Sequence, residues 1–506
     1  MVRCRPGIVA DAEVGTIPDQ RRTAARCAAS GEQQPELQRA DYAALGLSLY
    51  TSRRFDEALA TYDAGLRIAP SDLDLRNGRG VALLELRRPA EARDEFVRAL
   101  AADPDCLDAL GNLGNALLKL NRPEEALAAY DRALKIVPDN AQLLTNRAVA
   151  LRRLDRPQEA LMSAARALAE KPDFAQARFV ASVARLTLGD FAAGWRGYEA
   201  RWGVGALALQ RRNFAEPQWR GAEPLAGKTI LLHAEQGFGD TIQFVRYAPL
   251  VAARGAIVVL EVQRELTRLC ASLAGVANIV ARGDELPPFD CHCPLLSLPL
   301  AFATDATNIP AAVPYLAPPA AEVAAWRVRL PHGRPLIGLC WSGERVHDND
   351  LNRSMALDTL APLLDAPDVQ FVSLQRDVRE GDAPLLAQRS DIVSIGRQFS
   401  DFADSAAAIA ALDLVISVDT AVAHLAGALG KPLFLLLPFA ADFRWLRERC
   451  DSPWYPSARL FRQPRFGDWA SVVEAVRAEV LQSCGANSTA SDAGLTRVSM
   501  LTGRLG

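Results

Sequence analysis

The chain has 506 residues, half of them hydrophobic, and a formal net charge of −3. That length allows about three domains with buried cores, and the near-neutral balance excludes a nucleic-acid binder that works by bulk positive charge. Its cations are almost all arginine, the five lysines being Lys119, Lys135, Lys171, Lys228 and Lys431, with no basic stripe. No apolar run approaches the roughly 20 residues needed to cross a bilayer, and MVRCRPGIVADAEVG lacks the apolar centre of a secretory signal. A cytoplasmic protein without a transmembrane segment is expected. The nine cysteines follow no repeating spacing, as expected of buried free thiols in a reducing compartment.

Residues 1–38 are rich in Arg, Ala, Gln and Glu without periodicity and read as a disordered tail. Order begins with an internal repeat over 39–205. Pro70, Pro104, Pro138 and Pro172 are spaced by 34, and the same step joins Ala58, Ala92, Ala126 and Ala160 and reaches Gly194. Two more registers run Tyr62, Phe96, Tyr130, Ala164, Tyr198 and Gly46, Gly80, Gly114, Ala148, Ser182. Small residues where two helices touch, an aromatic wedge beside them and a proline ending the second helix are what a stacked helix pair needs. These coincident registers resemble the tetratricopeptide repeat (TPR). The last unit, FAQARFVASVARLTLGDFAAGWRGYEARW, has lost the alanine and is expected to cap the stack. Such a solenoid presents a concave surface for a protein partner. Asn112 and Asn146 recur on its inner face, where they serve either as solvated helix positions or as peptide holders, while Gly78 and Ala44 stand at the equivalent earlier places.

From about residue 226 short apolar runs alternate with helical stretches. TILLHA, AIVVLEV and ANIVAR read as strands separated by the helices DTIQFVRYAPLVAARG and ELTRLCASL. In DCHCPLL, Cys291, His292 and Cys293 read as a buried strand rather than a metal site, with no second ligand pair at zinc spacing. After the Pro and Ala rich stretch 305–335, a second series runs PLIGLCWSG, LDTLAPLLD, VQFVSLQ, ADSAAAIAAL, DLVISV, TAVAHLAGALG and PLFLLLP. The expectation is two α/β units in tandem, 206–320 and 321–484, facing a cleft, and a disordered tail over 485–506.

In open parallel sheets, ligands lie outside the carboxyl ends of the strands, which selects two loops. HAEQGFGDTIQF, residues 233–244, lacks the third glycine of a dinucleotide fingerprint, because position 242 is Ile. What remains is a tight turn in which Gly237 and Gly239 let the backbone approach a ligand. Asp240 there is either a helix cap or a functional acid. Glu235 is either an exposed loop acid or the neighbour that raises the Asp240 pKa. In ISVDTAVAHLAGALGKP, residues 416–432, a strand ends and Asp419, Thr420 and Ala421 open a helix whose free N–H groups can hold a diphosphate. His424, one turn in, either packs against the next strand or supports the phosphates. The loop WSGERVHDNDLNRS, containing Gly343 and Arg353, reads as a surface loop or a donor-phosphate loop. The segment 442–463, with Trp445, Trp454, Tyr455 and several arginines, reads as a packed return crossing.

AEQGFGDTIQFVRY, a CWSG strand end, NRSMALDTLAPLL, FVSLQ and SVDTAVAHLAGALGKPLFLLLP, in this order, resemble glycosyltransferase family nine, the heptosyltransferase-like group, over roughly 228–480. The resemblance implies a TPR solenoid followed by an α/β GT-B fold of two Rossmann-like domains. It implies an inverting, metal-independent enzyme with no cofactor, taking a nucleotide-diphosphate sugar as donor and a protein or glycan as acceptor. Asp240 would be the general base, with Gly237, Gly239 and Gln243 on the acceptor side. Gly343, Arg353, Asp419, Thr420, Ala421 and His424 would hold the donor. Arg353 stands where those enzymes typically carry lysine, and the repeats are an addition. Two alternatives stand beside this reading: a repeat-dependent protein O-glycosyltransferase resembling the O-GlcNAc enzymes, and a scaffold with a silent transferase domain.

Overall fold

In the computed structural model the described residues are 38–347 and 349–488. The tails expected at 1–38 and 485–506 lie outside them except for Gln38 and 485–488, and the last four residues continue the final helix, Trp469–Ser488, past the expected boundary at 484. The chain divides into two compact units, 1–177 and 178–506.

The first unit is a solenoid of antiparallel helix pairs: α1 Arg39–Thr51, α2 Phe55–Ile68, α3 Leu73–Glu85, α4 Pro89–Ala102, α5 Leu107–Lys119, α6 Pro123–Ile136, α7 Ala141–Arg153 and α8 Pro157–Glu170. The expected glycine and aromatic registers meet in space. A Cβ placed on Gly46, Gly80 or Gly114 would run into the ring of Tyr62, Phe96 or Tyr130 respectively, so the aromatic wedge requires the missing side chain. Where the glycine becomes Ala148, the aromatic becomes Ala164, and both alanines are fully buried. Loss of the ring makes room for the Cβ, so the two positions change together.

Two further registers organise the turns. Arg53, Arg87, Asn121 and Asp155 take left-handed backbone conformations with φ of 59°, 58°, 58° and 52°, and glycine fills the next place in the series, Gly189, at 82°. The residue that follows each turn, Arg54, Arg88, Arg122 or Arg156, forks onto the glutamate three positions on, Glu57, Glu91, Glu125 or Glu159.

The division between units falls inside α9, Ala175–Thr187. The repeat pattern continues through α10, Phe191–Tyr198, yet the aromatics of this last pair serve the second unit. Trp195 contacts Phe244 and Phe443 edge to face, with ring centroids 6.2 and 5.7 Å apart. The expected capping helices are therefore part of the core of the sheet region, because their exposed aromatic face finds an apolar partner there.

The second unit holds two parallel sheets. The first, order β3-β2-β1-β4, comprises β1 Thr229–His233, β2 Ile257–Val262, β3 Val276–Ala281 and β4 Cys291–Pro294. The second, order β10-β9-β8-β5-β6-β7, comprises β5 Leu336–Cys340, β6 Gln370–Ser373, β7 Ile392–Ser394, β8 Leu414–Val418, β9 Leu433–Leu437 and β10 Ala458–Arg462. The buried run Cys291–Pro294 is a strand, as expected. The three-residue edge strand β7 and the strand β10, hidden in an arginine-rich stretch, were not legible from periodicity. The long helix expected over 240–255 is broken into Phe238–Phe244 (α11), a 3-10 turn and Ala248–Ala252, the last carrying Pro249 in its first turn. In each sheet the first strand lies between neighbours reached by opposite crossovers, so β1/β4 and β5/β8 are the switch points where open α/β sheets place ligands.

Candidate functional site

The turn after β1 places its strain at Gln236 (φ 60°), not at either glycine. Gly237 opens α11, and its N–H donates to Asp240 Oδ2 at 3.0 Å, so Asp240 does close the helix start, as the third helical residue. Gly239 serves a close approach to protein rather than to a ligand. A Cβ there would lie 2.8 Å from His424 Cδ2 and 3.7 Å from Ala421 Cα. The start of α11 thus packs directly on the start of α12, Ala421–Ala428, which follows β8.

Asp240 Oδ1 accepts from Arg444 Nη2. That guanidinium also donates from Nη1 to Asp442 Oδ1 at 2.8 Å and from Nε to Gln243 Oε1 at 2.5 Å. Its charge reaches Asp419 as well. Arg444 is 8% exposed, and a buried guanidinium of this kind is held in place by the carboxylates around it. The backbone that delivers it is strained, with Leu446 at φ 53°, ψ −160°.

Asp419, the last residue before α12's cap, has its pKa raised to about 6, first by burial and then by the Asp442 charge, with Arg353 pulling the other way. Arg353 Nη1 donates to the Asp419 carbonyl at 3.0 Å. Gly343 lies against that guanidinium, since a Cβ there would be 2.6 Å from Arg353 Nη2. Thr420 caps α12 by backbone geometry and aims its hydroxyl at Ser417 Oγ, 3.2 Å away. The first N–H groups of α12, beginning with Ala421, have no helical acceptor by construction.

His424 has both readings in part. It packs face to face on Trp445 (centroids 5.4 Å, 26°) and shares a hydrogen bond between Nδ1 and the Tyr455 hydroxyl at 2.9 Å. Burial and the positive charge of Arg444 hold its pKa well below the ordinary value, so the ring is neutral. Its Nε2 stands 3.8 Å from Asp419 Oδ1.

Glu235 is not an exposed loop acid, and its carboxylate is engaged elsewhere than at Asp240. It is 2% exposed and forks onto Arg201, with Nε and Nη2 at 2.9 and 2.8 Å, while Leu296 N–H donates to it. The loop after β1 turns it toward the 3-10 turn that follows α10, Glu199–Gly203. Trp445, Trp454 and Tyr455 are fully buried, as a packed crossing requires. That expectation missed Arg444, whose only signal in sequence is DFR, an acid two residues before a cation. Buried polar atoms here that lack a partner among the described residues include Gln243 Nε2, Ser342 Oγ and Arg353 Nε. Of the thiols, Cys270, Cys291, Cys293 and Cys340 are buried as expected, and Cys450 is exposed, contrary to expectation.

In the first unit the recurring asparagines, both half-buried, pair with other asparagines. Asn112 donates to Asn77 at 2.9 Å and Asn146 to Asn115 at 3.0 Å. Gln142 joins Asn146 to Gln176.

A chain of stacked helix pairs followed by two parallel sheets is the class of molecule described here. Residues 43–105 and 77–141 match the tetratricopeptide repeat family, so the chain carries TPR repeats, which support a role in protein–protein interaction. Over 317 residues the chain is 28% identical to Protein FlbA of Caulobacter vibrioides, covering 58% of this chain and 52% of that one. The chain thus spans about half the length of that curated relative. Among solved structures, it is similar to a thermophilic TPR protein of Thermus thermophilus, with 22% identity, 34% of this chain and 95% of that one covered, and a TM-score of 0.31. It is also similar to YrrB, described as a TPR protein with an unusual peptide-binding site, with 24% identity, 33% and 89% covered, and a TM-score of 0.28. No described helix is long and apolar enough to cross a membrane.

Proposed function

We propose that the sheet region is an inverting, metal-independent glycosyltransferase of the GT-B type, and that the repeats recruit a protein acceptor or a partner. The observation that carries this reading is the convergence of Asp240, Arg444 and Asp419 where α11 and α12 meet, at the carboxyl ends of β1 and β8. Transfer of a sugar needs a base for the acceptor hydroxyl and fixed positive charge for the departing diphosphate. Asp240 is the base in this proposal. Each of its oxygens already accepts one hydrogen bond and keeps a second lone pair for the acceptor proton. The start of α12, Arg353 and the unpartnered Ser342 hydroxyl take the nucleotide-diphosphate sugar, supplying the charge that a metal ion would otherwise give. Asp419 accepts from a donor hydroxyl, and neutral His424 backs it. Attack opposite the leaving group inverts the anomeric centre.

One observation favours a non-catalytic scaffold: Arg444 already engages the proposed base. A thermal-shift screen of nucleotide diphosphates and their sugars identifies the donor by the stabilisation that binding confers. Turnover of that donor by wild type and Asp240→Ala then separates the readings. Equal rates remove Asp240 from the chemistry, and no stabilisation by any nucleotide sugar removes the transferase.

A further inference from the structure

The proposed transfer site draws on the loop after β1 but leaves unused the β4 side of the first sheet's switch point. A cavity of about 460 Å³ opens there, lined by Arg211, Arg212, Arg220, His233, His292 and Phe214 among others. None of Asp240, Arg353, Asp419 or His424 lines it. The wall is built by the segment between α10 and β1, which lies along the free edge of β4. His292 N–H donates to Pro217 O at 3.1 Å, and Trp219 N–H donates to His292 O at 2.8 Å. This segment carries the arginines over the open face of the sheet.

The chemistry of the lining is specific. Arg212 is spent on Glu261, whose two oxygens it reaches at 2.9 and 2.8 Å, and it lies over the Phe214 ring at 4.8 Å. Glu199 accepts from the buried Arg201 at 2.6 Å, a cation it shares with Glu235. Neither the Arg211 nor the Arg220 guanidinium has a side-chain partner among the described residues, and two acids, Glu199 and Glu216, line the same space. At the floor, His233 Nε2 and His292 Nδ1 lie 3.2 Å apart and share one proton. Burial holds both imidazoles below the ordinary pKa, so they are neutral hydrogen-bonding groups. Aromatic surface at Trp202 and Phe214 flanks the same space.

We infer that this cavity is a second ligand site, taking a small anion of the carboxylate or phosphate-monoester class on a polar, sugar-sized body. Arg211 and Arg220 would hold the charge and the His233–His292 pair a hydroxyl or an anionic oxygen. The inference stands without the transfer reading, because it uses no residue of that site.

Isothermal titration of the full chain at low ionic strength with glucuronate, glucose 6-phosphate and neutral glucose tests it. Expected is one-to-one binding of at least one anion, weakened at least about tenfold (~1.4 kcal/mol) in the doubly substituted Arg211→Ala/Arg220→Ala protein. Binding should be unchanged in Asp240→Asn and absent with glucose. Which anion binds assigns the source as carboxylate or phosphate. No binding of either anion up to about 10 mM, well above the millimolar constants of weak sites, overturns the inference. So does binding that the double substitution leaves intact or that Asp240→Asn abolishes. Both arginines are exposed, so the variant protein keeps its core.

Discussion

The repeat unit and the sheet unit solve the packing problem in opposite ways. In the repeats each helix pair is fitted by contacts spaced less than one period apart: an aromatic against a glycine, an arginine fork three residues along, a left-handed turn at a fixed place. In the sheets the decisive contacts join residues some two hundred positions apart, as Arg444 to Asp240 and Arg246 to the Trp454 carbonyl. Local fitting repeats and is therefore visible as periodicity. Long-range fitting happens once and leaves no period.

The largest effect separating the two is expected at Arg444. Arg444→Ala leaves Asp240 and Asp442 close together without their shared cation and should cost about 3–5 kcal/mol. Urea denaturation followed in the sheet region measures it, and a loss below about 1 kcal/mol would show that the carboxylates are already solvated. In the repeats, Gly114→Val drives a side chain into the Tyr130 ring and should cost roughly 2–3 kcal/mol. Hydrogen exchange should rise only in adjoining helices. Adding Tyr130→Ala should recover part of the loss, since the pair Ala148 and Ala164 already works in the fourth unit.

Asp419 gives a smaller effect of opposite sign. Its folded pKa, near 6, exceeds the ordinary 3.8, so the folded chain binds the proton more tightly and stability falls as pH rises from about 4 to about 6. Asp419→Asn should remove that slope and be the more stable protein at pH 7. Thermal melts at pH 4.5 and 7 check it, and a wild-type chain that gains stability over this interval would contradict it. The smallest effect is expected at Arg268, 42% exposed, which joins Asp401, Asp404 and Glu322 between the two sheets. Arg268→Ala should cost no more than about 1 kcal/mol and be masked by salt.

The same distinction explains what was legible. The repeat registers at Gly46, Tyr62, Ala58 and Pro70 could be read because each recurs, and the arginine fork and left-handed turn could have been read by the same step. Strands β1, β2, β5, β8 and β9 announced themselves as apolar runs. Asp240 and Asp419 could be proposed because each sits where a strand ends and a helix starts. Arg444 could not, since its one local signal, an acid two residues before it, does not tell where the guanidinium goes. Glu235 was misplaced because the loop after β1 takes its direction only once the 3-10 turn following α10 supplies Arg201.

By itself the sequence determined the repeat architecture, most strands and helices in their order, and the two strand-to-helix loops of the proposed site, since these follow from periodicity and local backbone preference. Only the tertiary structure decided that the last repeat joins the sheet core, that Gly239 makes room for His424, and that one buried guanidinium gathers carboxylates from both sheets. Those choices depend on charge and volume meeting across hundreds of residues, where the energy lies in burial and pairing rather than in any local pattern.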